Sequence, residues 1–558
     1  MDKKLLSFCF ISLLIFQSCS KSENTVESQN GDATINLQIA GIEEEEVFEI
    51  SSSAVEQAIL HRAAFSGSSR GLNLSTPQKH LEIISLDEFD VMNDVQQPIA
   101  LDSTLHVTES RRASNSRAAI PLQSQTQYRI LMYETTSGVL GANQVATAGT
   151  RVDFQVDAGK SYNWYAVSIN TTSVPDINSS GIIPSSNLAN QDVLYASGQI
   201  TPAFGNNSLT ITFRRLTARI EVDLNTRGIF GRIQNTTSLD VGALVNNTFT
   251  KINRIGDLNI RTAAFSNIVD APAITANNMT VVDPNFGDAV KKAVFHTVST
   301  TPVTNGTLRV RLNALNITLD NNSTRSFTAN TLVPQNGALT PVIGSRYVVI
   351  TRLIESTVLI NNVRWARTNM LYDASTGQND RYRFRPNNNY AIGTLATEFW
   401  NKSATTPTGA YSSTVDPCTL VYPNNVWFTP TEANRNALGT PTRTVRNVVD
   451  GNARFTAQWD QAASVAANPA YPDNSLILLY LGYFSQSAGT LVQQGHLLSP
   501  SSPASGEFWL RENAATTSSR ARSELTQTGT TNPTYSYGPF AGATDGNRLD
   551  RKPYRCVR

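Results

Sequence analysis

Few side chains in this chain of 558 residues have the chemistry to act as catalysts, and their spacing says much about what they do. There are five histidines, His61, His80, His106, His296 and His496, and four cysteines, Cys9, Cys19, Cys418 and Cys556. The histidines are scattered and none forms an HExxH pair, so a zinc hydrolase of that kind has no ligand frame. No GxxxxGK[ST] phosphate loop and no GxGxxG dinucleotide turn occurs. Carboxylate pairs occur throughout and neither establish nor exclude a glycoside hydrolase. Asp545, Asn547 and Asp550 crowd one turn-rich loop, but calcium takes about six to eight oxygens and three candidates fall short. The balance points to a binding protein rather than an enzyme, with no cofactor and no metal.

The cysteines carry the clearest signal. Lys3 and Lys4 precede an apolar run from Leu5 to Phe16, and small Ser18 precedes Cys19. This is the layout of a secretory signal peptide over residues 1–18, since a spanning helix needs about twenty apolar residues. Residues 16–19, FQSC, resemble a lipobox, in which the cysteine is acylated and becomes the new N-terminus. Phe16 and Gln17 depart from the commoner Leu and small residue. Residues 20–32, SKSENTVESQNGD, lack apolar periodicity and, with Cys19, read as a lipoprotein tether over 19–32. The expected location is the cell outer membrane and surface. Cys9 leaves with the signal and Cys19 takes lipid, so Cys418 and Cys556 remain. In an exported protein two such cysteines point to a disulfide; zinc needs about four clustered ligands.

The elements that hold these residues are mostly strands. Basic and acidic residues nearly cancel, 45 against 44, which argues against nucleic acid as a partner. Residues 33–224 show short alternating segments: ATINLQIAG with Ile35, Leu37 and Ile39 on one face, YRILMYE, RVDFQVDAGKSYNWYAVSIN, and SLTITFRRLTARIEVDL. In the last, Leu209, Ile211 and Phe213 share one parity, while Leu216, Ala218, Ile220 and Val222 share the other. Such a phase change predicts a bulge or bend, with Arg215, Thr217, Arg219, Glu221 and Asp223 exposed. Residues 225–353 repeat the pattern, which predicts a second sandwich. After 354 five of the six tryptophans appear and strands recur unevenly. There TPTEANRNALG predicts a helix capped by Thr429 or Thr431, with Glu432 three residues after Thr429. By length, roughly 100–200 residues per domain, three domains are expected.

Residues 19 to about 350 resemble the fimbrillin family, the subunits of type V pili. The likeness rests on the lipobox at Cys19, on YRILMYE followed by DAGKSYNWYAVSIN, and on DVLYASGQ leading into LTITFRRLTARIEVDL. Residues 354–558 are similar to the FISUMP-type module, related in fold to C-type lectin-like domains. Here the likeness lies in NNVRWARTNMLYD, RYRFRPNN, VDPCTLVYPNNVWFTPTEAN, LILLYLGYF, GEFWLREN and YRCVR. VWFTPT departs from that module's Trp-Arg-Leu-Pro-Thr run and puts Phe428 in the arginine place, so a salt bridge made by that arginine is absent.

These resemblances imply a mainly β chain: two tandem transthyretin-like Greek-key β-sandwiches followed by an α+β C-type lectin-like domain. They imply export as a lipoprotein and removal of the first strand after an arginine, with 33–70 as the candidate removable strand and loop. Arg70, in SGSSRGLNL, is the favoured cut, with Arg62, Arg112 and Arg117 as alternatives. A strand donated by another fimbrillin subunit then fills the groove. Cys418 and Cys556 sit at motif positions of the module. With a whole extra domain in place of a donor strand, the expected role is a fimbrial tip adhesin; the alternative is a permanently lipid-anchored surface binding or fibre-anchor protein. For a glycan or protein ligand, planar polar groups and aromatic faces are offered by Asn387, Asn388, Asn389 and Tyr390, and by Tyr535, Tyr537, Phe540 and Asn547.

Overall fold

The computed structural model describes residues 32–50, 80–95, 119–375, 379–388, 397–439, 441–447, 453–460, 473–486, 489–492, 504–511, 518–519, 524–528, 534–538, 546–547 and 550–558. Among them the chain is mainly β, with a five-residue α-helix, Glu432–Asn436, and short 3-10 turns. They fall into two compact units. The first lies within Met1–Glu43, Ala118–Val174 and Leu194–Arg214, the second within Glu44–Arg117, Pro175–Val193 and Arg215–Arg558.

The first unit is one seven-stranded path around a single core. In spatial order the strands are Leu140–Thr147, Gln127–Glu134, Tyr162–Ser168, Leu194–Ile200, Gly205–Arg215, Ala33–Ile42 and Val152–Val156. Alternation puts one set of side chains inward from each strand. Ala33, Ile35 and Leu37 meet Tyr128, Ile130, Met132, Trp164, Ala166, Leu209, Ile211 and Phe213 in that core. Gly198 lies opposite Trp164 in the ladder, and a Cβ there would stand 2.7 Å from the indole. The glycine of YASGQ is thus the space the tryptophan occupies.

The second unit contains a two-sheet sandwich. One sheet runs Thr280–Val281, Val290–Thr297, Ala218–Gly228, Ser345–Glu355, Phe89–Val95 and His80–Ser85, with Glu46–Ile50 also pairing with Ser345–Glu355. The other runs Thr248–Lys251, Ser238–Val245, Leu308–Ala314 and Thr331–Pro334. Between them pack Ile220, Val222, Leu224, Phe295, Val310, Leu312, Tyr347 and Val349.

Several expectations change here. The phase switch near Arg215 is no bulge: the strand Gly205–Arg215 belongs to the first unit up to Arg214, and Ala218–Gly228 lies in the second. A boundary at 224 therefore cuts a strand. Nor is the polar parity exposed, since Thr217 and Glu221 are fully buried. Ala218–Gly228 pairs in parallel with Ser345–Glu355 on one side and antiparallel with Val290–Thr297 on the other, an interior position. Glu221 lies under Arg219, Lys292 and Arg346, at 2.7 Å from Arg219 and from Arg346. Burial pushes its carboxyl up, but the hydrogen bonds from Arg346 and Lys292 outweigh that and hold it below its ordinary value.

The residues expected as second and third domains share one unit, and shared side chains explain why. Arg227 makes a two-pronged ion pair with Asp380 at 2.6 and 2.7 Å. Phe230 packs edge-on to Phe384, and Met92 and Ile354 join Trp400, Trp427 and Trp509 in one core. After Glu355 the sheets are small: hairpins Thr357–Ile360 with Val363–Ala366 and Met370–Tyr372 with Tyr382–Phe384, then Thr442–Asn447, Ala453–Asp460 and Ser475–Leu479. The helix Glu432–Asn436 is capped by Thr431, with Asn434 rather than a glutamate closing the box. Thr429 instead donates its hydroxyl to Asp416 at 2.6 Å.

Candidate functional site

Ala33–Ile42 is the first described strand in sequence, yet it lies inside its sheet. It runs parallel to Gly205–Arg215, Ala33 facing Gly205 and Ile39 facing Ile211, and antiparallel to Val152–Val156, Leu37 facing Val152. Parallel neighbours need long crossovers, and this pair is separated by most of the first unit's sequence. Ile35, Leu37 and Ile42 are buried. At roughly 1.5–3 kcal/mol each, they supply on the order of 5–9 kcal/mol, comparable with the whole net stability of a domain, about 5–15 kcal/mol. Without the strand, the inner edges of both neighbours would lose their partners.

The strand ends at a constrained point. Gly41 has φ +139°, and a Cβ there would stand 2.4 Å from the Ile120 carbonyl oxygen. Ile42 and Ile120 exchange both backbone hydrogen bonds, at 2.7 and 2.8 Å, and Glu43 donates to the Phe213 carbonyl at 2.8 Å. Downstream, Glu46–Ile50 pairs in parallel with Ser345–Val349 in the second unit, where Phe48 stacks on Tyr347 with its side chain exposed. Cys19, Arg62, Arg70, Arg112 and Arg117 lie outside the described residues.

In the C-terminal region Cys418 and Cys556 are bonded, with Cα atoms 5.8 Å apart and a sequence separation of 138. Asn388 is not a surface ligand group. It is fully buried, donating to the Arg367 carbonyl and to Asp473, because the buried Arg367 and Arg555 need polar neighbours. Asn387 is half-buried beside it. Tyr535 and Tyr537 lie on the strand Thr534–Gly538, opposite Gln527 and Leu525, and Asn547 on Gly546–Asn547, opposite Ser518. Asn389, Tyr390, Phe540 and Asp545 lie outside the described residues, and Asp550 accepts a hydrogen bond from the Gln486 backbone. Among the described residues no group of three His, Cys, Asp or Glu side chains is arranged to hold a metal, and no helix is long and apolar enough to cross a membrane.

An exposed cleft lies elsewhere in this region, beside Phe428. Its ring is 36 % exposed, while the buried tryptophans Trp365, Trp400, Trp427, Trp459 and Trp509 are core. Arg511 stacks on the ring at 5.1 Å and reaches the Asp416 carboxylate at 3.4 Å. The sequence signal was present: Phe428 stands where the resembling module has arginine, and a large apolar residue in a place for charge marks a changed surface.

No family model and no curated protein matches the chain. Solved structures do. A candidate cell adhesion protein of Bacteroides fragilis is 12% identical, covering 56% of this chain and 95% of its own, with a TM-score of 0.28. A fimbrial assembly protein of Parabacteroides distasonis is 12% identical over 41% of this chain and 85% of its own, TM-score 0.19. The fimbrial anchor protein Mfa2 of Porphyromonas gingivalis is 10% identical over 40% and 93%, TM-score 0.20. Scores this low leave the functional reading to the residues themselves.

Proposed function

We propose that this chain is a non-catalytic subunit of a cell-surface fibre, a fimbrial adhesin that gives up its first strand and accepts one from a neighbouring subunit. The observation that carries the reading is Ala33–Ile42: an N-terminal strand lying inside a sheet, parallel to a distant neighbour and plugging the core with Ile35, Leu37 and Ile42. Strand addition supplies backbone hydrogen bonds for affinity and alternate side-chain pockets for specificity. Cys19 is then a temporary lipid tether at the outer membrane, and Arg70 or Arg62 the cut. Both sandwiches are read as transthyretin-like Greek keys and the region after 354 as a C-type lectin-like binding domain, which places the chain at the fibre tip. The segment 552–558 is held in that region by the Cys418–Cys556 bond and by Val557, which bridges both Trp365 and Phe428.

The test uses the whole chain with a specific protease site placed after Arg70, cut after folding. A labelled peptide of residues 32–43 is then offered, and incorporation is read by native mass spectrometry. Exchange of the resident strand for the peptide is expected; retention of the cut strand up to the unfolding temperature would sink the reading. The mature N-terminus decides between tip and anchor. A start just after Arg70 in sheared fibres supports the tip, whereas an acylated Cys19 found only in membranes would make the chain a permanently anchored binding protein.

A further inference from the structure

The cleft beside Phe428 has the parts of a carbohydrate site, and none of them is among the loop residues singled out by sequence. Two openings share Phe428, Thr429 and Arg511: one of about 340 Å3 is also lined by Ser403, Ser413, Thr414 and Asp416, and one of about 270 Å3 by Asn362 and Asn434. Small-ligand sites start at about 300 Å3, so the first opening is of a size for a single ring rather than an extended chain, and the second falls just short of that.

The backbone that carries the shared ring is fixed. Phe428 exchanges both backbone hydrogen bonds with Val557, at 2.7 and 2.8 Å, next to the disulfide at Cys556. Among the described residues after 354 it is the large hydrophobic side chain left exposed. The polar groups are equally fixed. Asp416 Oδ1 accepts from the Cys418 backbone at 3.1 Å and from the Thr429 hydroxyl at 2.6 Å. Oδ2 accepts from the Thr429 backbone at 3.0 Å and, loosely, from Arg511 at 3.4 Å, and so keeps acceptor capacity. The Arg511 backbone is tied to the Pro430 carbonyl at 2.9 Å, while its side chain is half-exposed with donors to spare.

A carboxylate beside a guanidinium presents an acceptor and planar donors at the spacing of two vicinal hydroxyls, each of which both donates and accepts. The exposed ring offers its face to the C–H side of a sugar. Lys402, which also lines the first opening, and Arg558, which lines the second, have buried side chains turned to the Leu510 carbonyl and to Asp90. Of the charges left toward solvent Asp416 balances Arg511, and the pair favours a neutral ligand over an anion. We infer that the Phe428–Arg511–Asp416 cleft binds a neutral pyranose with free vicinal hydroxyls, the terminal sugar of a glycan. This rests on the reading of the C-terminal region as the binding domain, but not on strand exchange, which takes place in the first unit.

Saturation-transfer NMR on the intact, oxidised chain tests it with methyl glycosides of galactose, glucose, mannose, fucose and N-acetylglucosamine, and of N-acetylneuraminic and glucuronic acids. At least one neutral glycoside is expected to receive saturation. Phe428→Ala and Arg511→Ala should each weaken it by about tenfold or more. Both side chains are exposed enough for the variants to fold, and an unchanged thermal transition checks that they do. The inference is overturned by saturation of the acidic glycosides alone, by neutral binding indifferent to both variants, or by silence across the panel. Capture of decapeptides from a displayed random library by a chain that binds no glycoside would reassign the cleft to protein. A dead cleft with normal uptake of the 32–43 peptide separates failure of this inference from failure of the fibre reading.

Discussion

Two segments at opposite ends of the described chain thread into cores, and they are fastened in opposite ways. Ala33–Ile42 is held by backbone ladders, by apolar side chains and by Asn36, which reaches the Asn207 carbonyl at 3.3 Å and accepts from Arg151 at 2.8 Å. The segment 552–558 has a covalent bond at Cys556, and Arg555 donates to Asn369, Arg367 and Ile477 from a buried position. Lys552 pairs with Glu507 at 2.5 Å, and Arg558 with Asp90. The difference teaches what each end is for. Any strand with matching apolar alternation would reproduce a ladder and three side-chain pockets, which is what the proposed exchange asks of the first segment. A disulfide and a buried guanidinium with three backbone or amide acceptors admit no substitute, so the last is permanent.

The largest effect should come from cutting the permanent fastening. Replacing Cys418 and Cys556 together by serine removes closure of a loop spanning 138 residues, at most about 4–5 kcal/mol by chain entropy. Calorimetry should show the second unit's transition falling by several degrees and the first unit's unmoved; equal shifts in both would end the contrast. Next comes Ile35→Ala, which empties a fully buried pocket and should cost about 2–4 kcal/mol. That loss belongs to the first unit alone, read from Trp164, and the cut strand should exchange faster. If stability falls while exchange is unchanged, the strand is not what closes the groove.

How much of this was legible beforehand depends on which force fixed each feature. Alternation of Ile35, Leu37 and Ile39 announced a strand, and Leu209 to Phe213 another, because period-two burial is written locally. That the two lie side by side in parallel was not legible, since register between distant strands comes from the assembled core. The phase switch at Arg215 was seen and misread: the same pattern serves a bulge or a passage between two sheets, and local residues do not separate them. Parity puts Glu221 on the exposed face together with Arg219, but two of its three basic partners, Lys292 and Arg346, come from strands far away in sequence. Asn388 failed for the same reason, serving buried arginines that no spacing rule connects to it.

Smaller perturbations sharpen the comparison. Gly41→Ala places a Cβ at 2.4 Å from a carbonyl oxygen in a left-handed backbone conformation and should cost about 1–3 kcal/mol in the first unit. On the proposed reading, an incoming strand should meet the same restriction. A peptide of residues 32–43 carrying alanine at that place should therefore exchange less well than the natural one; equal uptake would mean that the Ile120 contact relaxes freely.

The smallest effect concerns pH, and it separates two buried groups of the second unit. Burial pushes Glu398 up to about 7 against the pull of Arg385. Its folded carboxyl keeps a proton that the unfolded chain gives up above about 4.5, so its contribution is present below that pH and lost as pH rises through about 7. Burial also lowers His296 to about 4 from 6.5. Its folded ring stays neutral while the unfolded one takes a proton, so that contribution is present above about 6.5 and lost as pH falls toward 4. Between about 4.5 and 6.5 the two trends oppose each other, and the natural chain should show a shallow profile there. Glu398→Gln removes one of them. Tryptophan fluorescence follows the second unit, since five of the six tryptophans lie in it. In the variant the denaturation midpoint should fall steadily as pH drops from 6.5 to 4. A variant profile as shallow as the parent's would show that the buried histidine does not govern the acid side, and that the second unit's tolerance of acid rests on its ion pairs.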